Sequence, residues 1–386
     1  DLHSFPTRRS SDLGGEEFMK KRFLGVLLSV AMVAAVLAGC GSSGAKETAA
    51  PAGSETEAAS EAASGETEAA GNTGDVITVG FSQVGAESDW RTANSESMKS
   101  TFSTENGYNL IFDDAQQKQE NQIAAIRNFI QQEVDYIVLA PVTESGWDTV
   151  LQEAKDAEIP VIIVDRMVDV SDDSLYTAWV GSNFKLEGQK ACEWLKQYAA
   201  AKNMSEVNIV DIQGTIGASA QIGRTEALNE AVEANGWNLL AQQTGEFTQA
   251  KGQEVMESML KQYDNINVVY CENDNEAFGA IEAIKAAGKT VGPDGDILVM
   301  SFDTTKQGIT DTLSGDIIVN TECNPLHGPR VEQIIKQLQA GETPEKQAYV
   351  EEGIYAHGSD VASVSIDGTD YEVTEVTQDV VDARAY

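Results

Sequence analysis

Basic residues are scarce in this chain: its 386 residues hold 26 Lys and Arg against 62 Asp and Glu, a formal charge of -36. Phosphate neutralisation needs clustered Lys and Arg, so a general nucleic-acid binder is excluded. An anionic membrane surface would repel the folded part for the same reason. Cysteine is scarce too, and four residues without a C-x-x-C spacing make neither a zinc cluster nor a dense disulfide scaffold. Three histidines leave little for metal chemistry, and no metal or cofactor is expected. The long hydrophobic run from Phe23 to Ala38 falls short of a comfortable membrane span. Apolar content is not lacking. At 41% hydrophobic, with five Trp, eleven Phe and ten Tyr, the chain can build the core of one large or two medium domains, so it is not disordered as a whole.

The first residues set an address. After Met19 come Lys20, Lys21 and Arg22, then the apolar run, then small residues before Cys40. A basic segment, a short apolar core and a small-residue processing site make a secretory signal over residues 19–39 rather than an uncleaved anchor. Leu37-Ala38-Gly39-Cys40 resembles the lipobox of bacterial lipoproteins, which implies a diacylglyceryl group on the Cys40 sulfur and cleavage just before it. A doubly acylated cysteine anchors stably, whereas one chain would be marginal. Residues 1–18 precede a good start Met and read as a non-native extension. Residues 40–75 carry the lipidated Cys and an acidic stretch of Gly, Ser, Ala, Thr and Glu; from Gly41 to Asp75 there is no Leu, Ile, Val or aromatic residue. Such a stretch cannot bury enough apolar surface to offset its ordering entropy. It is expected to be a solvated tether spanning about 30 to 35 Å.

From Val76 onward, short apolar runs alternate with amphipathic stretches. ITVGFS, NLIFDD, YIVLAP, VIIVDR and TAWVGS read as strands separated by helices such as NQIAAIRNFIQQ and WDTVLQEAKDAE. After Gly181 the helix LEGQKACEWLKQYAA leads to a second series, VNIVDIQG, NLLAQQTG, INVVYCEN, DILVMSFD and DIIVNTEC. Continuously apolar strands alternating with helices imply parallel sheets covered on both faces, and two such series suit two lobes.

Ligands of open parallel sheets bind beyond the carboxyl ends of the strands. Polar residues accumulate there, among them Asp165-Arg166, Gln213-Gly214-Thr215, Glu272-Asn273-Asp274, Asp303-Thr304 and Glu322-Cys323-Asn324. Two such edges facing one another would make a cleft of carboxylates, amides and arginines, which suits an uncharged polyhydroxylated ligand. Trp90, read as lying in the polar loop VGAESDWRTAN, and Phe247, in TGEFTQAKG, could sandwich a sugar ring from opposite lobes. Ordinary packing at a helix start is the alternative for each, and a structural ion pair is the alternative for Asp165 and Arg166.

Taken together, GFSQVGAESDWR, DAQQKQENQIAAIRNFI, VDYIVLAPVTESGWDTVLQEAKDAEIPVIIVDR, QGTIGASAQIGR and GEFTQAKGQEVMESML resemble the periplasmic sugar-binding proteins of type I fold, most of all the galactofuranose binders of bacterial ABC importers. The resemblance runs from about Ile77 to about Gly358. It implies an α/β fold of two Rossmann-like lobes joined by a three-segment hinge, with residues 76–181 plus 323–348 in the N-terminal lobe and 182–322 plus 349–386 in the C-terminal one. It implies a monosaccharide in the cleft and closure on binding. Carried over position by position, it makes Glu87, Trp90, Arg91, Asp165 and Arg166 ligand-binding residues of the first lobe. Those of the second are Arg224, Phe247, Asn273, Asp303 and Glu322. Two departures stand out: SFDTT lacks the glycine that relatives often show after the Asp, and CENDN replaces a histidine-containing version.

Other readings fare worse. The turn at Gln213-Gly214-Thr215 lacks the lysine of a phosphate-binding loop. Ser82 and Ser219 have no His in a workable relay, so neither a hydrolase nor any other enzyme is expected. A DNA-binding regulator of the same fold is rejected, because an export signal and tether stand where its DNA-binding head would be. Cys192, Cys271 and Cys323 read as small buried apolar residues. The expectation is therefore a monomeric, extracytoplasmic protein, anchored by lipid to the bacterial cell membrane, that delivers a furanose-type monosaccharide to an ABC permease. The alternative partner is a chemoreceptor or sensor kinase reading the same closed form.

Overall fold

The computed structural model describes residues 76–386, so the expected leader, Cys40 and the expected tether lie outside the described residues. From Ile77 to Gly181, strands alternate with helices. They run β1 (Ile77–Gln83), α1 (Asp89–Thr101), β2 (Tyr108–Asp114), α2 (Gln119–Gln131), β3 (Tyr136–Leu139), α3 (Asp148–Asp156), β4 (Val161–Val164) and β5 (Ala178–Gly181). The second series follows as α4 (Phe184–Ala201), β6 (Asn208–Gln213), α5 (Ser219–Asn235), β7 (Asn238–Thr244), α6 (Gln249–Gln262), β8 (Val268–Cys271), α7 (Asp274–Ala286), β9 (Leu298–Asp303), α8 (Lys306–Ser314) and β10 (Val319–Glu322). The remainder is α9 (Gly328–Gln339), β11 (Gln347–Tyr349), β12 (Ile354–Ala356), β13 (Ser363–Ile366), β14 (Thr369–Glu375) and α10 (Gln378–Ala383).

Two sheets result. The first has the order β11-β5-β4-β3-β1-β2 and is parallel throughout. The second has the order β13-β14-β12-β10-β9-β8-β6-β7, parallel from β10 to β7, with antiparallel pairs where β12 meets β10 and where β13 meets β14. Both repeat the doubly wound arrangement, in which strand order reverses beside the first strand of each series and leaves a crevice at the carboxyl ends. This is the two-lobed α/β fold expected from the sequence.

The apolar strand runs follow from burial on both faces, since successive side chains point to opposite sides. In β4, Ile162 and Val164 pack with Met98 of α1 and Val331 and Ile335 of α9. Their neighbours Val161 and Ile163 pack with Ile126 and Phe129 of α2 and Leu151 of α3. In β8, Val268 and Tyr270 face Trp194 and Tyr198 of α4, whereas Val269 and Cys271 face Met256 of α6 and Ile281 of α7.

Polar residues at strand ends start several helices. Ser88 accepts from the Arg91 amide at the start of α1, Asn183 from Leu186 at α4, Asn273 from Glu276 at α7 and Thr305 from Gly308 at α8. Each side chain satisfies an amide that the helix leaves without a partner. The chain crosses between the sheets three times: from β5 into α4, from β10 into α9, and from β11 into β12. Both sheets and their cores belong to one compact unit, and every strand of both sheets finds its pairing partners within residues 76–386, as a part that folds alone requires.

Candidate functional site

Nine of the ten residues expected at the site line a single cavity between the carboxyl edges of the two sheets, whose water-accessible volume is about 30 Å³. Glu87, Trp90 and Arg91 come from the turn after β1 and the start of α1, and Asp165 and Arg166 follow β4. From the second sheet come Arg224 on α5, Phe247 after β7, Asn273 after β8 and Asp303 at the end of β9. Ser88, Phe184, Ala220 and Cys323 also line it, although none was among the expected ligand-binding residues. Phe184 had a legible signal, an apolar residue just inside a helix that starts where the chain first crosses between sheets.

Glu322 does not line the cavity. Its carboxylate accepts from the Gly353 amide at 2.9 Å and from Arg384 and the Tyr386 hydroxyl at 2.7 Å each. It sits at the end of β10, but β10 pairs with antiparallel β12 there, and the third crossing claims its side chain. The expectation that Glu322 contacts ligand is corrected accordingly. Trp90 is corrected in part. It belongs to the first turn of α1 rather than to a loop, and its indole N–H donates to the Cys323 carbonyl at 2.7 Å across the second crossing.

The cavity walls are charged but balanced. Arg91 reaches Asp165 at 2.8 Å and Glu87 at 3.0 Å, whereas Arg166 lies 3.9 Å from each of those carboxylates and donates to the Val142 carbonyl at 3.0 Å. The tight partner of Asp165 is therefore Arg91, from a different loop, and not its neighbour in sequence. Burial alone would raise Asp165, but Arg91, Arg166 and His327 outweigh it and hold the carboxyl below its usual range. Burial, reinforced by nearby Arg91, brings Arg166 down to about 10 against the pull of Asp165 and Glu87, which leaves it protonated at neutral pH. Across the cavity, Arg224 pairs with Glu187 at 2.8 Å and with Asp303 at 3.5 Å, and donates to the Glu272 carbonyl. Burial pushes Asp303 and Glu187 above the usual carboxylate range despite Arg224.

Aromatic faces fill the spaces between these groups. Trp90, Phe184, Phe247, Ala218, Ala220 and Cys323 form one buried apolar cluster at the cavity. The Arg166 guanidinium lies 5.0 Å over Phe247, and Arg224 lies 5.4 Å over Phe184. Phe247 is pinned through its backbone, its N–H donating to Glu276 at 2.9 Å and its carbonyl accepting from Asn273 at 3.1 Å. Its ring lies so close over Gly214 that a methyl group there would overlap it.

The backbone is strained at the same points. Asp165, Phe247 and Asp303 have φ of 63°, 60° and 98°, and Thr304 follows at 54° where the sequence lacks a glycine. Left-handed backbone costs non-glycine residues about 1–3 kcal/mol each, and it persists where surrounding contacts over-determine it. The Thr304 amide, for example, donates to Asn320 at 3.1 Å.

Chemically, three guanidinium groups offer donors, the carboxylates offer acceptors, and flat apolar faces lie between, with the opposite charges nearly cancelling. This arrangement suits a neutral ring bearing hydroxyls. It lacks an activated nucleophile: Ser88 is engaged as a helix cap, and burial raises the Cys323 thiol well above its ordinary value. Glu187, Cys323 and Glu352 bring potential metal-ligating atoms within 4.8 Å of one another, but Glu187 is already paired with Arg224, a poor setting for a cation. Cys192, Cys271 and Cys323 are buried free thiols.

Comparison with known proteins agrees with this geometry. Residues 79–321 match the periplasmic binding protein domain family. A galactofuranose-binding protein of Escherichia coli K12, YtfQ, is 42% identical over 284 residues, which cover 72% of this chain and 87% of that protein. A Mycobacterium smegmatis protein solved in complex with β-D-fucofuranose superimposes with a TM-score of 0.70 at 44% identity, over 72% of this chain and 91% of that one. The binding protein of an arabinose ABC transporter from Shewanella sp. ANA-3, solved with α- and β-L-arabinofuranose, gives 0.68 at 42% identity, over 72% and 92%.

Proposed function

Because the chain belongs to the periplasmic binding protein family, whose members bind solutes rather than transform them, we propose that it captures a monosaccharide in its furanose form outside the cytoplasm and hands it to the membrane subunits of an ABC importer. The observation that carries this reading is the buried interlobe cavity, where arginines and carboxylates of both lobes converge around Trp90, Phe184 and Phe247. Relatives whose names specify galactofuranose, and solved neighbours holding fucofuranose and arabinofuranose, support the five-membered ring.

The mechanism follows from where the donors sit. Arg91, Asp165 and Arg166 belong to one lobe, and Arg224, Asn273 and Asp303 to the other. A sugar engaging both sets has a higher affinity for the closed arrangement than for an open one, and that difference draws the lobes together. Arg91 and Glu87 hold Asp165 and Arg166 ready beforehand, which lowers the ordering cost of binding. The importer would read the paired lobe surfaces of the closed form. The sensory alternative uses the same cleft, and no residue in it favours a receptor partner.

Isothermal titration of residues 76–386 with D-galactose, L-arabinose, D-ribose, D-fructose and D-glucose tests the reading. Sugars with an appreciable furanose fraction should bind, with apparent affinity scaling with that fraction, while D-glucose should not. Equal binding of D-glucose would refute the furanose assignment, and silence from all five would refute the sugar. The proposed lipid on Cys40 has its own test: Cys40→Ala should move the protein from the membrane fraction to the soluble one.

A further inference from the structure

Glu322 and Glu352 stand at matching places on neighbouring crossings and exchange contacts. The Glu322 carboxylate accepts from the amide of Gly353 at 2.9 Å, and the Glu352 carboxylate accepts from the amide of Asn324 at 2.7 Å. Between those two bonds, the Glu322 amide donates to the Gly353 carbonyl at 3.0 Å. The second and third crossings are thus stitched reciprocally, each by a carboxylate reaching the backbone of the other. The first crossing joins through Ser182, whose hydroxyl donates to Glu352 at 2.7 Å, and through Lys190 of α4, which donates to the Glu352 carbonyl at 2.9 Å.

From outside, Arg384 and Tyr386 grip Glu322. Both reach the same oxygen at 2.7 Å, and Arg384 stacks over the rings of Tyr355 and Tyr386 at 4.7 and 5.0 Å. Burial would raise Glu322, but the Gly353 amide, Tyr386 and Arg384 outweigh it and keep the carboxyl below its usual range. Glu352 goes the other way, since burial and neighbouring Glu187 push it well above that range.

The residue held between these anchors is Cys323. Its side chain lines the cavity, and its carbonyl accepts from the Trp90 indole. Residues 322, 323 and 324 therefore run hinge contact, cavity wall, hinge contact. We infer that Glu322 and Glu352 are positioning residues that fix the hinge at the cavity wall, and that Arg384 and Tyr386 form a clasp that sets how far the lobes open. The inference rests on the reading of a ligand held between closing lobes.

The test uses residues 76–386 carrying a donor and an acceptor dye at Glu120→Cys and Glu257→Cys, which are exposed on α2 of one lobe and α6 of the other. Interlobe distances are measured by single-molecule energy transfer, without sugar and with L-arabinose. In the Arg384→Ala/Tyr386→Phe variant and in Glu352→Ala, the sugar-free distribution should broaden toward open states, and the apparent dissociation constant should rise about tenfold as the closing-competent fraction falls. Glu352→Gln should restore the parental distribution, because its amide oxygen still accepts from Ser182 and Asn324, whereas Glu352→Met, which fills the same volume without that acceptor, should not. Distributions identical to the parent in both disruptive variants would overturn the inference. The sugar-free arm separates the two ideas: no response of the parent to L-arabinose counts against that sugar as ligand, while the clasp is still judged on the sugar-free distributions.

Discussion

Gly214→Ala isolates the part of the site that depends on shape. The residue follows β6, and the added methyl would overlap the tip of the Phe247 ring. To regain an ordinary carbon–carbon contact of about 3.5 Å, the ring must retreat by about 1.5 Å. It cannot do so by moving its backbone, which Glu276 and Asn273 hold on either side. Rotation about the side-chain bonds remains, into the cavity or against the Arg166 guanidinium 5.0 Å away. Overpacking of this kind costs about 1–3 kcal/mol, which should lower the melting temperature by about 2–5 °C in a domain of this size. Affinity should fall further, by about thirtyfold, because the displaced ring occupies the ligand's own space. Calorimetric titration and thermal melting read the two effects separately. In the double variant Gly214→Ala/Phe247→Ala the overlap disappears, so part of the stability should return while the affinity does not. Wild-type affinity in Gly214→Ala would refute the placement of Phe247 on the ligand wall.

Three further outcomes are expected. Trp90→Ala should lower stability by about 3–5 kcal/mol in chemical denaturation as well as weakening sugar binding, because the ring is 4% exposed, bonded to Cys323 and packed edge-on against His327; a binding defect without a stability loss would place the indole in the ligand site alone. Asp165→Asn should abolish measurable binding and cost about 3 kcal/mol, since Asn accepts the left-handed backbone at φ 63° but leaves buried Arg91 and Arg166 to share the single carboxylate of Glu87; retained affinity would move the site. Burial raises Asp211 from 3.8 to about 7, so between those values the folded state keeps a proton that the unfolded state releases, and stability falls as pH rises through that window. Asp211→Asn should remove that loss, making the protein more stable than wild type above pH 7 by up to about 4 kcal/mol and little changed below pH 4; parallel stability–pH curves for the two proteins would contradict this.

What the sequence made legible follows from burial. Strands such as Val161–Val164 are covered on both faces and so read as unbroken apolar runs, and the polar residues at their carboxyl ends mark the cleft. The hairpin of β13 and β14 was harder to read, although Asp367-Gly368 supplies a turn signal with φ of 49° and 82°, because its half-exposed strands are rich in polar residues. At the site, residues whose position is set by the end of their own strand were identifiable. What escaped was set by distant partners. Asp165 pairs most tightly with Arg91 rather than Arg166, and Glu322 turns toward Gly353, Arg384 and Tyr386, which are remote in sequence. A run of residues reports which face is buried. It does not report which distant side chain claims a carboxylate.

A crystal structure of residues 76–386 grown with the best-binding sugar tests the central claim most directly. The account predicts a single furanose ring in the interlobe cavity, against Trp90 and Phe247, with hydroxyls within hydrogen-bond distance of Asp165 and Arg166 on one side and of Asn273 and Asp303 on the other. A sugar bound outside this cavity, or a six-membered ring within it, would contradict that claim.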